Sequence, residues 1–282
     1  NSTDIIFIDI GKDLVFPSRD KKKIEYTISD EDKNCKQIKN LLTFEKGIIN
    51  IKKFKSIHFL RKNNFPQSGK IEFINYSVKY RPDTKIVLRN LNFVIKPGEK
   101  IGIVGRTGSG KSTLCLCLFR ILEAATGQIL IDDVDISNIG LRLLREIITV
   151  IPQDPTLIEG SLRENLDPSG KHDDESMIHY MKIIGMEYII KHNGLDFKIK
   201  ENGDNLSSGE KQLICLARAM LRKSKIITMD EATSSIDYNT ENLIQNAVLT
   251  TLKDSTVITI AHRIKTIMDY DKIFVFDNGQ LI

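Results

Sequence analysis

Nine residues, GRTGSGKST at positions 105–113, carry the clearest chemistry in the chain. They fit the spacing G-x-x-x-x-G-K-[ST], in which a turn of backbone N–H groups wraps a phosphate chain. Gly105, Gly108 and Gly110 permit a path that side chains would block. Successive amides through Arg106, Thr107 and Ser109 can then point at one anion. A helix beginning near Lys111 adds the positive end of its dipole. Lys111 would meet the β- and γ-phosphates, and the Ser112 hydroxyl, next to Thr113, would be a Mg²⁺ ligand.

Three further polar sites follow short apolar runs. Gln153 follows 147–151, Asp230-Glu231 follows 226–229, and His262 follows 257–260. In an open sheet of parallel strands, ligands gather at the carboxyl ends of the strands, so these residues and the glycine loop are expected on one edge. Neighbouring residues on an extended segment point in different directions, which lets two adjacent carboxylates take separate roles. Asp230 would hold Mg²⁺ through water, and Glu231 would act as general base on the water that attacks the γ-phosphate. His262 would sense that phosphate.

The elements that must position these residues are legible in outline. Strands are expected at 71–80, 86–95, 101–104, 127–132, 147–151, 226–229, 257–260 and 273–276, with helices at 114–119, 208–221 and 242–252. Between 154 and 205 the apolar spacing turns helical, as at Met177, Tyr180, Met181 and Ile184, with breaks at Pro168, Gly170, Gly185 and Gly194. That stretch reads as an inserted helical lobe. Strands alternating with helices give an α/β fold with a mostly parallel sheet. Residues 1–66 are rich in Lys, Asn, Ile and Asp and carry no recognisable chemistry. They read as a partly ordered flanking or linker segment, with a strand at 5–10 and a basic amphipathic helix at 41–60 broken near Gly47.

Composition narrows the choices. The 282 residues are 41% hydrophobic, with 41 basic and 37 acidic side chains and a formal net charge of +4. So mild an excess points to a mixed solvated surface and no nucleic-acid partner. No apolar run is long enough to span a membrane, and the N-terminal residues lack a signal-peptide layout. The cysteines, Cys35, Cys115, Cys117 and Cys215, form no C-x-x-C pair and read as reduced core residues of a cytosolic compartment. The sequons at 75–77 and 205–207 read as chance.

At 205–221, NLSSGEKQLICLARAML, the segment LSSGE resembles the signature motif of ABC ATPases. The family's other elements occur in order: an aromatic at Tyr80, the glycine loop, Gln153, the signature, IITMDE at 226–231, SSID at 234–237, and His262. More narrowly, GKIEFINYSVKYRPDT, VIPQDPTLIEGSLRENLDP and ITIAHRIKTIMDYDKI look like the second nucleotide-binding domain of C-subfamily transporters, the multidrug-resistance-associated group. The resemblance covers 67–282. It implies a P-loop NTPase core with a mostly parallel sheet, an antiparallel β subdomain and a helical lobe at about 154–221.

The resemblance also implies roles. ATP and Mg²⁺ are the expected ligands, with Tyr80 stacked on adenine and Gln153 both ligating Mg²⁺ and relaying its state to the lobe. Two such domains pair head to tail, so Ser207, Ser208, Gly209 and Glu210 would serve the nucleotide of a second nucleotide-binding domain, and Asp237 would lie at that interface. Transmembrane domains would be the other partners, which places the domain on the cytoplasmic face of a membrane. The common signature LSGGQ is altered here: Ser208 replaces a glycine and Glu210 a glutamine. Added bulk and negative charge near a triphosphate should weaken the clamp. The chain stops at DNGQLI without the family's terminal helices and starts without methionine, so a fragment of a longer transporter is expected, with 44–54 matching the exit from the last membrane helix.

The leading expectation is an ATPase that drives export. A nucleotide-sensing module that gates a channel or receptor would carry the same motifs. A soluble ABC ATPase acting on DNA or ribosomes is disfavoured by the near-balanced charge and the lack of coiled-coil or tandem insertions.

Overall fold

The structure is a computed structural model. It describes residues 64–230, 237–261 and 263–282, together with Leu60 and two short strands, β1 (Thr43–Phe44) and β2 (Gly47–Ile48). The chain divides into two compact units, Asn1–Phe59 and Leu60–Ile282. In the first, β1 and β2 run antiparallel, with Thr43 opposite Ile48 and Phe44 opposite Gly47. Over 43–48 this replaces the start of the helix expected at 41–60, because a chain that reverses here cannot keep an i to i+4 hydrogen-bond ladder running through Gly47. Residues 49–59 of that expected helix lie outside the described residues. The strand expected at 5–10 lies outside the described residues.

In the second unit the elements follow in order. β3 (Ile71–Val78), β4 (Leu88–Ile95) and β5 (Lys100–Gly105) precede α1 (Lys111–Leu118). Next come β6 (Ala124–Ile131), β7 (Val134–Asp135), α2 (Leu141–Ile147) and β8 (Ile148–Ile151). The lobe follows, with β9 (Gly160–Ser161), α3 (Leu162–Leu166), α4 (Asp174–Ile183), α5 (Glu187–Asn193), β10 (Lys198–Ile199) and α6 (Ser208–Arg222). The chain then returns to the sheet through β11 (Ile226–Asp230), α7 (Tyr238–Thr250), β12 (Thr256–Ile260), β13 (Lys272–Asp277) and β14 (Gln280–Leu281).

Six strands form one sheet in the order β14-β13-β5-β12-β11-β8, parallel throughout except for the β13–β14 hairpin. Four more form an antiparallel sheet in the order β4-β3-β6-β7. The expected α/β architecture, with an antiparallel subdomain and a helical insertion, is therefore present. Central strands read as unbroken apolar runs because both faces of the parallel sheet are covered. The pleat divides their side chains between two cores. Ile226 of β11 with Ile258 and Ile260 of β12 joins the core shared with β3, β4 and α1, whereas Ile227, Met229 and Val257 face α6, α7 and the lobe.

Several elements escape the sequence reading. The strand β7 and the helix α2 fill the gap left between 132 and 147, β9 pairs with β10 inside the lobe, and β14 pairs back on β13. Among the described residues no helix is long and apolar enough to cross a membrane. Cys115, Cys117 and Cys215 are buried free thiols, while Cys35 lies outside the described residues.

Candidate functional site

The glycine loop leaves β5 at Gly105 and enters α1 through Gly110, which sits at φ 103° as the helix N-cap. The helix thus starts at Lys111, three residues before the apolar run that marks it in the sequence. Gly108 adopts φ 79°, a left-handed conformation that glycine enters without penalty. Gly105 is fixed by space as well: a Cβ there would lie 2.3 Å from the Phe276 carbonyl oxygen and 2.7 Å from Ser109 Oγ.

Lys111 is 6% exposed, and its Nζ donates to the carbonyls of Gly105 at 2.8 Å and Arg106 at 3.0 Å. An ammonium has three N–H donors. Two hold the loop together, and the third remains for an anion. Ser109 Oγ is buried with no hydrogen-bond partner within the protein. A buried hydroxyl in that position is costly unless something bonds it, and a polyphosphate seated in the loop meets that need. The cleft beside the loop has a volume of about 310 Å³ and is lined by Tyr80, Val87, Thr107, Lys111, Ser112 and Thr113 together with Gly108 and Gly110.

Tyr80 is 52% exposed, yet its hydroxyl is bonded to Thr113 Oγ1 at 3.1 Å. That bond brings an aromatic ring, held beyond the end of β3, to the rim of the phosphate loop. Val87 lines the same cleft and was not singled out by the sequence. Nor was Gly279, whose N–H donates to the Ser109 carbonyl at 3.0 Å and whose carbonyl accepts from Arg89 N–H at 2.8 Å. Asn278 and Gly279 both have positive φ, 47° and 78°, and join β13 to β14 as a two-residue turn. The Asn-Gly dipeptide is the sequence signal that would have found it.

Strand register places the remaining strand ends. Asp230 is level with Ile260, which is level with Ile103, so β11 and β5 stand two strand spacings apart, roughly 10 Å. Ile151 of β8 pairs with Met229, and Gln153 follows as an exposed residue two positions beyond that strand. The ends of β5, β8, β11 and β12 thus open on the same edge. Gln153 does not line the loop cleft. Glu231, His262 and residues 234–236 lie outside the described residues.

Oxygen donors are what Mg²⁺ requires, and in nucleotide sites phosphates and water supply most of them. The Ser112 hydroxyl in the cleft, the Asp230 carboxylate and the Gln153 amide oxygen suit that ion. Among the described residues no cluster of three His, Cys, Asp or Glu side chains forms a separate metal cage.

The signature segment lies at the start of α6. Ser207 is its N-cap, and Ser207 and Glu210 bond each other reciprocally in a capping box. Gly209 is buried, and a Cβ there would stand 3.2 Å from Thr240 and 3.6 Å from Asp237 Oδ2. Asp237 in turn caps α7, with Oδ1 accepting from Thr240 N–H at 3.1 Å and Oδ2 from the Thr240 hydroxyl at 2.7 Å. The first turns of α6 and α7 therefore pack closely, joining the signature to the residue expected at a partner interface.

A phosphate loop between a parallel strand and a helix, with an antiparallel sheet on one side and a helical lobe bearing a capped Ser-Ser-Gly-Glu on the other, defines an ABC-type nucleotide-binding domain. Residues 88–234 match the family model described as ABC transporter, and the chain belongs to that family. It is 44% identical over 288 residues to rat ATP-binding cassette sub-family C member 3, a match covering 97% of this chain and 19% of that protein. It is 53% identical over 221 residues to human ATP-binding cassette sub-family C member 2, covering 78% of this chain and 14% of that one. The likeness to the C subfamily expected from the sequence thus holds, although the chain spans less than a fifth of the length of these relatives. A solved structure of a bacterial Atm1-family ABC exporter with ATP bound superposes with a TM-score of 0.71 at 32% identity, covering 77% of this chain and 38% of that chain.

Proposed function

We propose that this chain is the ATP-binding and ATP-hydrolysing domain of a membrane exporter of the C subfamily, corresponding to its second nucleotide-binding domain. The observation that carries the reading is the Lys111 ammonium, buried in the loop with one donor left for a phosphate, beside a cleft rimmed by Tyr80. ATP lays its polyphosphate along the amides of 105–113 and its adenine against the Tyr80 ring. Residues 67–282 make up the domain, with the lobe at about 154–221, and residues 1–66 flank it.

Ser112, Asp230 and Gln153 would hold Mg²⁺, which when bound supplies charge neutralisation at the β- and γ-phosphates. Glu231 takes the proton of the attacking water as its oxygen bonds to the γ-phosphorus, the bond to the β-phosphate oxygen breaks, and ADP and phosphate leave. His262 holds the γ-phosphate from the neighbouring strand end. A second nucleotide-binding domain binds head to tail, so that Ser207, Ser208, Gly209 and Glu210 face its nucleotide and Asp237 lies at the interface. A serine hydroxyl at a helix N-terminus suits that task. Transmembrane domains on the membrane side would couple closure and reopening to transport, with this domain at the cytoplasmic face.

Single-turnover ATP hydrolysis by the intact protein tests the reading, with Glu231→Gln as the comparison. Wild type should exceed the variant by on the order of a hundredfold, the usual worth of a general base. Equal, slow hydrolysis by both would instead favour a nucleotide-sensing module that gates a channel or receptor.

A further inference from the structure

Glu210 is held at both carboxylate oxygens. Oε2 accepts the Ser207 N–H at 2.6 Å, while the Glu210 N–H donates to Ser207 Oγ at 3.2 Å. Oε1 accepts a hydrogen bond from the Tyr188 hydroxyl, which comes from the neighbouring helix α5. Burial works against the charged form, but the Tyr188 hydroxyl and the Ser207 donors still hold the Glu210 pKa below the ordinary glutamate value. The Tyr188 hydroxyl is pushed up, first by burial and then by this carboxylate. Half of the Tyr188 side chain is exposed. Its ring is thus not a core filler, and its polar end is what reaches the signature.

The start of α6 favours negative charge, and it is also where a phosphate of the partner's nucleotide would approach. A carboxylate released from the capping box would swing into the same space and repel that phosphate. Close packing of Gly209 on Thr240, where a Cβ would stand 3.2 Å from the threonine side chain, limits how far the start of the helix can shift to relieve the conflict. We propose that Tyr188 is a positioning residue for the signature, its hydroxyl pinning Glu210 back against the start of α6 so that the carboxylate stays clear of the partner's γ-phosphate. This rests on the signature role proposed above.

The test uses steady-state ATP hydrolysis by the intact transporter in a two-by-two set: wild type, Tyr188→Phe, Glu210→Gln and the double variant. Tyr188→Phe alone should raise KM for ATP by about fivefold while kcat changes less than about twofold, since the like charge opposes binding. In the Glu210→Gln background, where glutamine can still cap Ser207 without charge, the same change should move KM less than about twofold. Glu210→Gln alone should match or lower the wild-type KM. An equal effect of Tyr188→Phe in both backgrounds, or none in either, overturns the proposal. Ser207→Arg separates the two levels of inference. If it leaves KM and kcat untouched, the signature reading itself fails. If it abolishes turnover while the Tyr188 and Glu210 changes show no coupling, only the positioning role fails.

Discussion

Tyr80 and Thr113, 33 positions apart, meet through their side-chain oxygens at 3.1 Å. The bond ties an exposed ring to the buried last residue of the phosphate loop, so the proposed surface for the base and the cradle for the phosphates are built as one unit. Tyr80→Ala should weaken ATP binding about tenfold, or ~1.4 kcal/mol, within the range measured for bases stacked on aromatic side chains. Tyr80→Phe keeps the ring and should cost about twofold. Titration with ATP and with inorganic triphosphate checks the assignment. An equal loss for both ligands would show that the ring does not hold the base.

Glycines at the loop separate conformational from steric demand. Gly108→Ala meets nothing within 4 Å and pays only for its left-handed φ of 79°, about 1–2 kcal/mol. Gly105→Ala would press on the Phe276 carbonyl at 2.3 Å, and Gly279→Ala on the Val87 carbonyl at 1.8 Å. Each of these two should lose on the order of 3 kcal/mol, at the upper end for single substitutions. Denaturant midpoints should rank Gly108→Ala as the mildest of the three.

Glu241 on α7 ties down the segment after His262. It is 7% exposed, with Oε2 accepting from Arg263 at 2.8 Å and Oε1 from the Thr266 hydroxyl at 2.5 Å. Arg263 is about half exposed, so the ion pair itself contributes little, and the buried bond from the Thr266 hydroxyl carries most of the effect. Glu241→Gln should cost about 1–2 kcal/mol. Hydrogen exchange should report the loss first at residues 263–267, and protection left unchanged there would contradict the clamp.

Asp132 fastens the entry of β3 to the β6–β7 turn, its carboxylate accepting from Ser68 N–H and Lys70 N–H, each at 2.8 Å, and from the Ser68 hydroxyl at 2.5 Å. Burial alone would raise its pKa, but these donors outweigh it and bring the pKa below the ordinary aspartate value. A carboxylate with a lowered folded-state pKa contributes stability that is fully present above its unfolded value, about 3.9, and is lost as pH falls through the folded one. Asp132→Asn should therefore be less stable than wild type at neutral pH, with the gap closing below about pH 4. A gap independent of pH would mean that the charge contributes nothing.

The legible parts of the fold were those whose signal is local. Alternating strands and helices and the glycine loop each write their conformation into a few adjacent residues, and all have counterparts here. The helix α2 was missed because LRLLREI gives a single turn of apolar spacing between stronger signals. β14 is only two residues long, and the amphipathic reading of 41–60 placed a helix break near Gly47 but not the antiparallel pairing of 43–44 with 47–48 around it. The reading of Glu210 as a charge facing a triphosphate noted its type but not its partner, since Tyr188 lies 22 positions away on another helix.

By itself, then, the sequence determined the phosphate loop, the order of the family's elements and the alternation that demands a parallel sheet. Those follow from backbone freedom at glycine, helix capping and apolar runs, all properties of neighbouring residues. Only the tertiary structure decided that β12 separates β11 from β5, that the Asn278-Gly279 turn closes over the loop at Ser109, that Tyr80 is bonded to Thr113, and that Glu210 is turned onto Ser207 and Tyr188. Most of these pairings join residues far apart in the chain. Which hydroxyl reaches which oxygen is fixed only when the two cores pack against the sheet.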